Sequence, residues 1–238
     1  MKKHIPNSVT CLNLFSGCLG IVFVFQGNLI WASYAILIAA ILDFFDGMLA
    51  RLLKAYSEIG KELDSLADVV SFGVLPSMII FHLFALSPQP EFGGTWLSFS
   101  AFIIAVFSAL RLAKFNIDTR QSENFIGLPT PANALLIASF PLIIVESNTF
   151  FADFILNPWF LLIFILVMSM LLVAEVPLIS LKFKTLDLKE NMLRYILVIS
   201  SLLLLLFLKF EAFPIIIIIY FLVSLIQFRS GDKNLSVK

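Results

Sequence analysis

The chain has 238 residues, 60% of them hydrophobic and only 13% charged, which is more apolar than a water-soluble core requires and points to an integral membrane protein. Its 16 Lys and Arg balance 16 Asp and Glu, so net charge gives a nucleic-acid-binding role no electrostatic support.

Windows of about 17–25 apolar residues mark about eight spans, at approximately 8–25, 30–50, 63–85, 96–114, 130–146, 158–180, 193–208 and 213–228. The expected fold is all-α, a polytopic transmembrane bundle in a single domain over 1–238, because no connection is long enough to fold separately. The first span opens Pro6-Asn7-Ser8-Val9-Thr10-Cys11-Leu12-Asn13, with polar groups at i, i+3 and i+6. Pro6, Asn7 and Ser8 can simply start a helix, whereas Asn13 lies a turn deeper. Cys11 and Cys18 have no C-x-x-C partner and read as buried thiols. The run Leu14-Phe15-Ser16-Gly17-Cys18 after Lys2 and Lys3 has features of a lipoprotein cleavage site, but Phe15 stands where Leu is preferred. An uncleaved first helix is expected.

The second span ends Asp43-Phe44-Phe45-Asp46-Gly47-Met48-Leu49-Ala50-Arg51, and the third begins Gly60-Lys61-Glu62-Leu63-Asp64-Ser65-Leu66-Ala67-Asp68. Ser71-Phe72-Gly73-Val74-Leu75-Pro76 inside the third span predicts a kink or local unwinding. The fourth span ends Arg111-Leu112-Ala113-Lys114-Phe115-Asn116, and the fifth opens Phe125-Ile126-Gly127-Leu128-Pro129-Thr130-Pro131-Ala132. Spans six to eight offer no polar constellation. Runs such as Leu202 to Leu206 and Ile215 to Ile219 read as surfaces facing lipid or a second copy.

The basic residues give the orientation. Lys2, Lys3, Arg51, Lys54, Lys61, Arg111, Lys114, Arg120, Lys182, Lys184, Lys189, Arg194, Arg229, Lys233 and Lys238 fall on one set of connections, and Lys209 alone on the other, beside Glu91, Glu146, Asp153 and Glu211. The positive-inside rule makes the first set cytoplasmic, with both termini inside. At 1.5 Å per residue, Asp43, Asp46, Asp64 and Asp68 then lie within about 12 Å of the cytoplasmic surface. The site faces the cytosol at membrane depth, which suits an amphiphilic substrate.

Each carboxylate at a membrane centre costs roughly 2.5–3.5 kcal/mol on insertion scales. Helical geometry places Asp43, Asp46, Gly47, Ala50 and Arg51 within an arc of roughly 140°, and puts Gly60, Asp64 and Asp68 on one stripe of the next helix. Two acidic faces thus look at each other, and two divalent cations would neutralise four such charges. Hard oxygen ligands favour Mg²⁺ or Mn²⁺, and a paired-metal site suggests phosphoryl chemistry.

The pattern D-x-x-D-G-x-x-A-R-x8-G-x3-D-x3-D, filled at every fixed position from Asp43 to Asp68, resembles the signature of the CDP-alcohol phosphotransferases. The R-L-A-K-F-N run and the F-x-G-L-P-x-P-A run resemble the phosphatidylserine synthase branch of that family. The resemblance implies transfer of a phosphatidyl group from CDP-diacylglycerol to L-serine by direct displacement, in a homodimer of the cytoplasmic membrane. It implies metal ligands at Asp43, Asp46, Asp64 and Asp68, with Asp68 also the general base. It further implies substrate contacts at Asn13, Gly47, Ala50, Arg51, Ser57 and Gly60, with Arg111 and Asn116 toward the acceptor. Spans one to six would be the catalytic core and the last two accessory. Glycerol 3-phosphate and inositol phosphate are the rival acceptors, and a cation or proton transporter the rival class. Acids confined to one face, with no second polar relay, disfavour the transporter.

Overall fold

A chain this apolar can cross lipid only where each segment satisfies its own backbone hydrogen bonds, which leaves helices. The computed structural model describes residues 4–88, 94–118, 125–146, 149–179 and 191–235, and most of these are helical. In chain order the helices are α1 (His4–Phe25), α2 (Leu29–Leu52), α3 (Glu58–Asp68), α4 (Leu75–Leu86), α5 (Phe102–Ile117), α6 (Thr130–Glu146), α7 (Thr149–Ile155), α8 (Pro158–Val173), α9 (Met192–Leu208) and α10 (Ala212–Leu235). Two-residue strands β1 (Phe125–Ile126) and β2 (Pro177–Leu178) form one antiparallel pair.

Five helical stretches are long and apolar enough to cross a membrane: His4–Phe25, Leu29–Leu52, Glu58–Leu86, Trp96–Ile117 and Met192–Gln227; α6 and α8 are apolar but shorter. The protein is thus a predominantly helical integral membrane protein, with one marked difference from the segments read in the sequence. The sixth apolar segment leaves the helix after Val173 instead of continuing to 180, because Pro177 and the residue before it resist helical geometry. The last two segments are separate helices, as expected, divided at Lys209, whose φ is +47°. There the chain folds back, since Leu197 and Tyr220 line a common groove. Lys2, Lys3, Glu91, Arg120, Lys182, Lys184, Lys189 and Lys238, on which much of the expected sidedness rests, lie outside the described residues.

The kink or local unwinding expected before Pro76 takes the form of one wider turn. The helix continues from α3 to α4 through a π-helical turn, Val69–Val74. Pro76 has no N–H to donate and its ring crowds the preceding turn, so a wider turn absorbs the mismatch.

Helix α1 shows how the bundle is held. Its inward face carries Pro6, Thr10, Asn13, Ser16, Gly17, Gly20 and Val24, while Leu12, Phe15, Leu19 and Val22 point outward and are exposed. In lipid there is no hydrophobic gain from hiding leucine, so small residues that permit close backbone approach take the interior. A Cβ on Gly17 would collide with Ser71, and one on Gly20 with Leu75. The same period turns Cys11 and Cys18 outward, where both are exposed free thiols, correcting their reading as buried. Ile36, Phe72, Leu75, Ile79, Ile104, Ile137 and Leu161 form the apolar centre. The α9–α10 hairpin stands to one side, fastened where Tyr220 Oη donates to Ile179 O (2.8 Å) and where Ser224 Oγ accepts from Ile179 N (3.2 Å).

Candidate active site

The end of α2 and the start of α3 carry the acidic motif, joined by a short turn. Ser57 caps α3 by accepting from Gly60 N at 3.0 Å, which satisfies one of the free N–H groups of the first turn. From that start, Asp64 and Asp68 fall one turn apart and face Asp43. Asp43, Asp64 and Asp68 can each place a carboxylate oxygen within 4.8 Å of the others. Among the described residues none of the four motif aspartates makes an ion pair, and Asp64 Oδ1 is buried with no hydrogen-bond partner.

That arrangement fits a divalent cation. A hard ion bound at about 2.1–2.6 Å from each oxygen can bridge carboxylates at this separation, and it would supply the partner that the orphaned Asp64 oxygen lacks. Asp46 stands apart from the trio. It is 5% exposed and its Oδ2 accepts from Thr10 Oγ1 of α1 at 2.7 Å.

Two clefts meet at the carboxylates. The larger, about 630 Å³, is lined by Asp46, Gly47, Ala50, Ser57, Gly60 and Asp64, with Pro6, Asn7 and Thr10 of α1 and Tyr56 beside them. The smaller, about 240 Å³, is lined by all three carboxylates of the trio, with Arg111, Asn116 and Pro129 to Pro131 opposite. Lys61 and Asp64 line both. The small residues of the motif have distinct reasons. A Cβ on Gly47 would meet nothing nearer than Arg51 Nη2 at 3.7 Å, so its smallness keeps the cleft open, whereas one on Gly60 would come within 2.9 Å of both Asn7 Oδ1 and Ser57 Oγ.

Asn13 is fully buried and its Nδ2 donates to Asp68 Oδ1 across 3.4 Å. Arg51 is exposed, its Nε donating to Gly47 O at 3.1 Å, and it is not among the residues that line either cleft. Helical geometry places it at the end of α2, a turn beyond Gly47. Arg111 is 6% exposed; its Nε donates to Leu128 O at 3.1 Å, its guanidinium lies 5.2 Å from the Phe115 ring, and its Nη2 is buried without a hydrogen-bond partner. A buried donor left unpaired inside a cleft is a place for an anionic group.

The loop before α6 explains how Arg111 is held. Gly127 has φ +76°, and an added Cβ would come within 2.6 Å of Leu172 O, so only glycine lets the loop lie against the end of α8. There Leu128 N donates to Leu171 O and Gly127 N to Val176 O, both at 2.9 Å. The Leu128 carbonyl is thereby fixed to receive Arg111.

Four site residues escaped the sequence reading. Thr10 sits in the polar opening of α1, where nothing local distinguishes it from a helix-start hydroxyl. Lys61 counted only as an orienting charge, yet its Nζ donates to Asn116 O at 2.8 Å. Ser65 Oγ accepts from Asn116 Nδ2 at 2.8 Å, and Ser71 Oγ donates to Asn13 O at 3.0 Å. The i+4 stripe from Lys61 to Ser65 was visible in the sequence, but nothing there said that α5 would face it.

Fold and site together define a helical integral membrane protein with an acidic, cation-competent centre between two clefts. The chain belongs to the CDP-alcohol phosphatidyltransferase family of enzymes, whose model matches residues 3–171. It is similar to proteins named CDP-diacylglycerol–serine O-phosphatidyltransferase from three sources. The Helicobacter pylori protein is 32% identical over 224 residues, covering 93% of this chain and 90% of that protein. The Bacillus subtilis protein is 41% identical over 140 residues, 58% and 76% of the two chains. The Methanocaldococcus jannaschii protein is 38% identical over 136 residues, 57% and 59% of the two.

Proposed function

We propose that this enzyme transfers the phosphatidyl group of CDP-diacylglycerol to the hydroxyl of L-serine, giving phosphatidylserine and CMP. The observation that carries the reading is the meeting of two clefts at one set of carboxylates, a large one for the nucleotide and a small one for the acceptor; the names of the similar proteins support serine as that acceptor.

The serine oxygen attacks the phosphorus that bears the diacylglycerol, the bond from that phosphorus to the CMP oxygen breaks, and the hydroxyl proton passes to Asp68. An alcohol is a poor nucleophile at neutral pH, so a carboxylate must accept its proton during attack. Asn13, donating to Asp68, orients that carboxylate. Gly47, Ala50, Ser57 and Gly60 shape the nucleotide cleft, and Arg51 at its rim reaches a phosphate once the substrate is seated. Arg111 and Asn116, in the smaller cleft, hold the serine carboxylate and fix its hydroxyl toward the phosphorus. Asp43, Asp46, Asp64 and Asp68 would hold two divalent cations, Mg²⁺ or Mn²⁺, with Asp46 and Asp64 lining the nucleotide cleft. When bound, such ions offset the charge of the diphosphate and of the departing CMP.

The reading includes a single domain over 1–238 with eight crossings, both termini in the cytosol and the site opening to it from the cytoplasmic membrane, in a homodimer. The family match ends at 171, before α9, which supports treating the hairpin as an addition to a catalytic core. The test is direct. Purified protein in detergent receives CDP-diacylglycerol and Mn²⁺ with labelled serine, glycerol 3-phosphate or inositol phosphate offered separately. Phosphatidylserine with stoichiometric CMP is expected, and a labelled lipid formed from another acceptor but not from serine refutes the assignment.

A further inference from the structure

Ile179 joins the α9–α10 hairpin to the chain that builds the smaller cleft. The ladder of β1 and β2 is short, two residues on each strand, and one of them is Pro177, which has no N–H to give. A two-stranded pair of this kind is at best marginally stable by itself. One residue past its end, Ile179 is 2% exposed, and inside a membrane no water replaces a missing partner for its backbone. Helix α10 supplies both partners: Tyr220 Oη donates to Ile179 O, and Ser224 Oγ accepts from Ile179 N. The two hydroxyls stand at i and i+4 on one face of α10, so a donor and an acceptor are spaced to grip a single residue.

From Ile179 the contacts run inward step by step. Leu178 pairs with Phe125 and Pro177 with Ile126; Val176 O then accepts from Gly127 N, and Leu128 O receives Nε of Arg111. Helix α8 ends at Val173, so the stretch from Val176 to Ile179 takes its outer support from α10. The two ends of this relay are also neighbours in space. Tyr220 and Pro129 line one cavity, and the Tyr220 phenol lies within electrostatic reach of the Arg111 guanidinium.

We propose that Tyr220 and Ser224 are positioning residues for Arg111: by clamping Ile179 they steady the β2–β1 pair and the Leu128 carbonyl, and thereby aim the guanidinium into the smaller cleft. The hairpin lies beyond the residues that the family model matches, yet through this relay it sets the geometry of the site. Arginine has many rotamers to lose, and one whose Nε already has a fixed partner has given them up before its ligand arrives. The proposal rests on the reading of Arg111 as the holder of the serine carboxylate, and its test separates the two.

Tyr220→Phe keeps the ring and removes only the donor to Ile179. It should raise the apparent KM for serine by about three- to tenfold, the worth of one neutral hydrogen bond, and leave kcat and the KM for CDP-diacylglycerol within about twofold. Ser224→Ala should act in the same direction, and Ser224→Thr, which keeps the hydroxyl, should not. In an Arg111→Ala background Tyr220→Phe should change the serine KM by less than about twofold, because the group it steadies is gone. An unchanged serine KM, equal losses on both substrates, or the same rise with and without Arg111 overturns the proposal. Independently of turnover, amide hydrogen exchange in detergent should quicken about tenfold at Gly127 and Leu128 in Tyr220→Phe, with the amides of α2 and α3 unaffected. Unchanged exchange at Gly127 and Leu128 refutes the relay even if phosphatidylserine is made; faster exchange there with no serine transferred leaves the relay standing and removes only the serine reading.

Discussion

Asp68 combines three features that its neighbours do not share. It belongs to the carboxylate trio, lines the smaller cleft, and receives a hydrogen bond from a fully buried amide, which supports its proposed role as the base that takes a proton from an incoming alcohol. Asp68→Asn should retain CDP-diacylglycerol binding by equilibrium titration yet lose about 10²–10⁴ in turnover, the usual worth of a general base; wild-type turnover in that variant would remove the role. Arg111, buried in the smaller cleft with Nη2 unpartnered, is the proposed holder of the serine carboxylate. Losing a charged hydrogen bond of about 1.5–3 kcal/mol, Arg111→Ala should raise the apparent KM for serine by tenfold or so and the lipid KM much less, as steady-state kinetics with each substrate varied would show. Because the trio offers carboxylate oxygens and no cation of its own, EDTA should abolish activity and Mn²⁺ or Mg²⁺ restore it; full activity in excess chelator contradicts the cation centre.

At the scale of an element, the glycines of α1 and α2 separate packing from binding. Gly17 faces the backbone of Ser71, with only 3.0 Å from an added Cβ to the Ser71 Cα. Gly17→Val should therefore cost about 1–3 kcal/mol through overpacking, lowering the unfolding midpoint in detergent. Gly47 has open space over it and lines the larger cleft, the proposed seat of the nucleotide. Gly47→Leu should leave that midpoint unchanged or slightly raised, since glycine is a poor helix former, while weakening donor binding in the same titration. If the two variants exchanged these effects, α1 would not be the element on which the site is built. The π-turn after Asp68 belongs to the same frame: Ser71, inside it, donates to the Asn13 carbonyl, so the irregular turn ties the residue that orients Asp68 to the helix that carries it.

Across the whole molecule, the acidic end and the Lys209 turn should lie on opposite sides of the membrane. Lys209 pairs with Glu146 at 3.2 Å, joining the hairpin to the far end of α6, while Lys54 follows α2 near the carboxylates. In a Cys11→Ser, Cys18→Ser background, Lys54→Cys should react with an impermeant maleimide only from the cytoplasmic side, and Lys209→Cys only from the other. Reaction of both from one side would overturn the proposed topology and, with it, the cytosolic opening of the site.

Apolar length placed the helices and a filled motif placed the carboxylates, because both are written in consecutive residues: a run of leucines long enough to cross lipid, or aspartates at fixed intervals, needs no knowledge of neighbours. The arrangement of those parts came only from tertiary contacts. Thr10 reaches Asp46 and Asn13 reaches Asp68 across 36 and 55 residues of chain, separating one aspartate from the other three. The loop at Gly127 lies on α8 and holds Arg111 through Leu128. The outward turn of Cys11 and Cys18 likewise follows from which face of α1 meets Ser71 and Leu75. No local period encodes which helix faces which, and in lipid, where burial does not sort leucine from serine, close packing of small residues makes that choice.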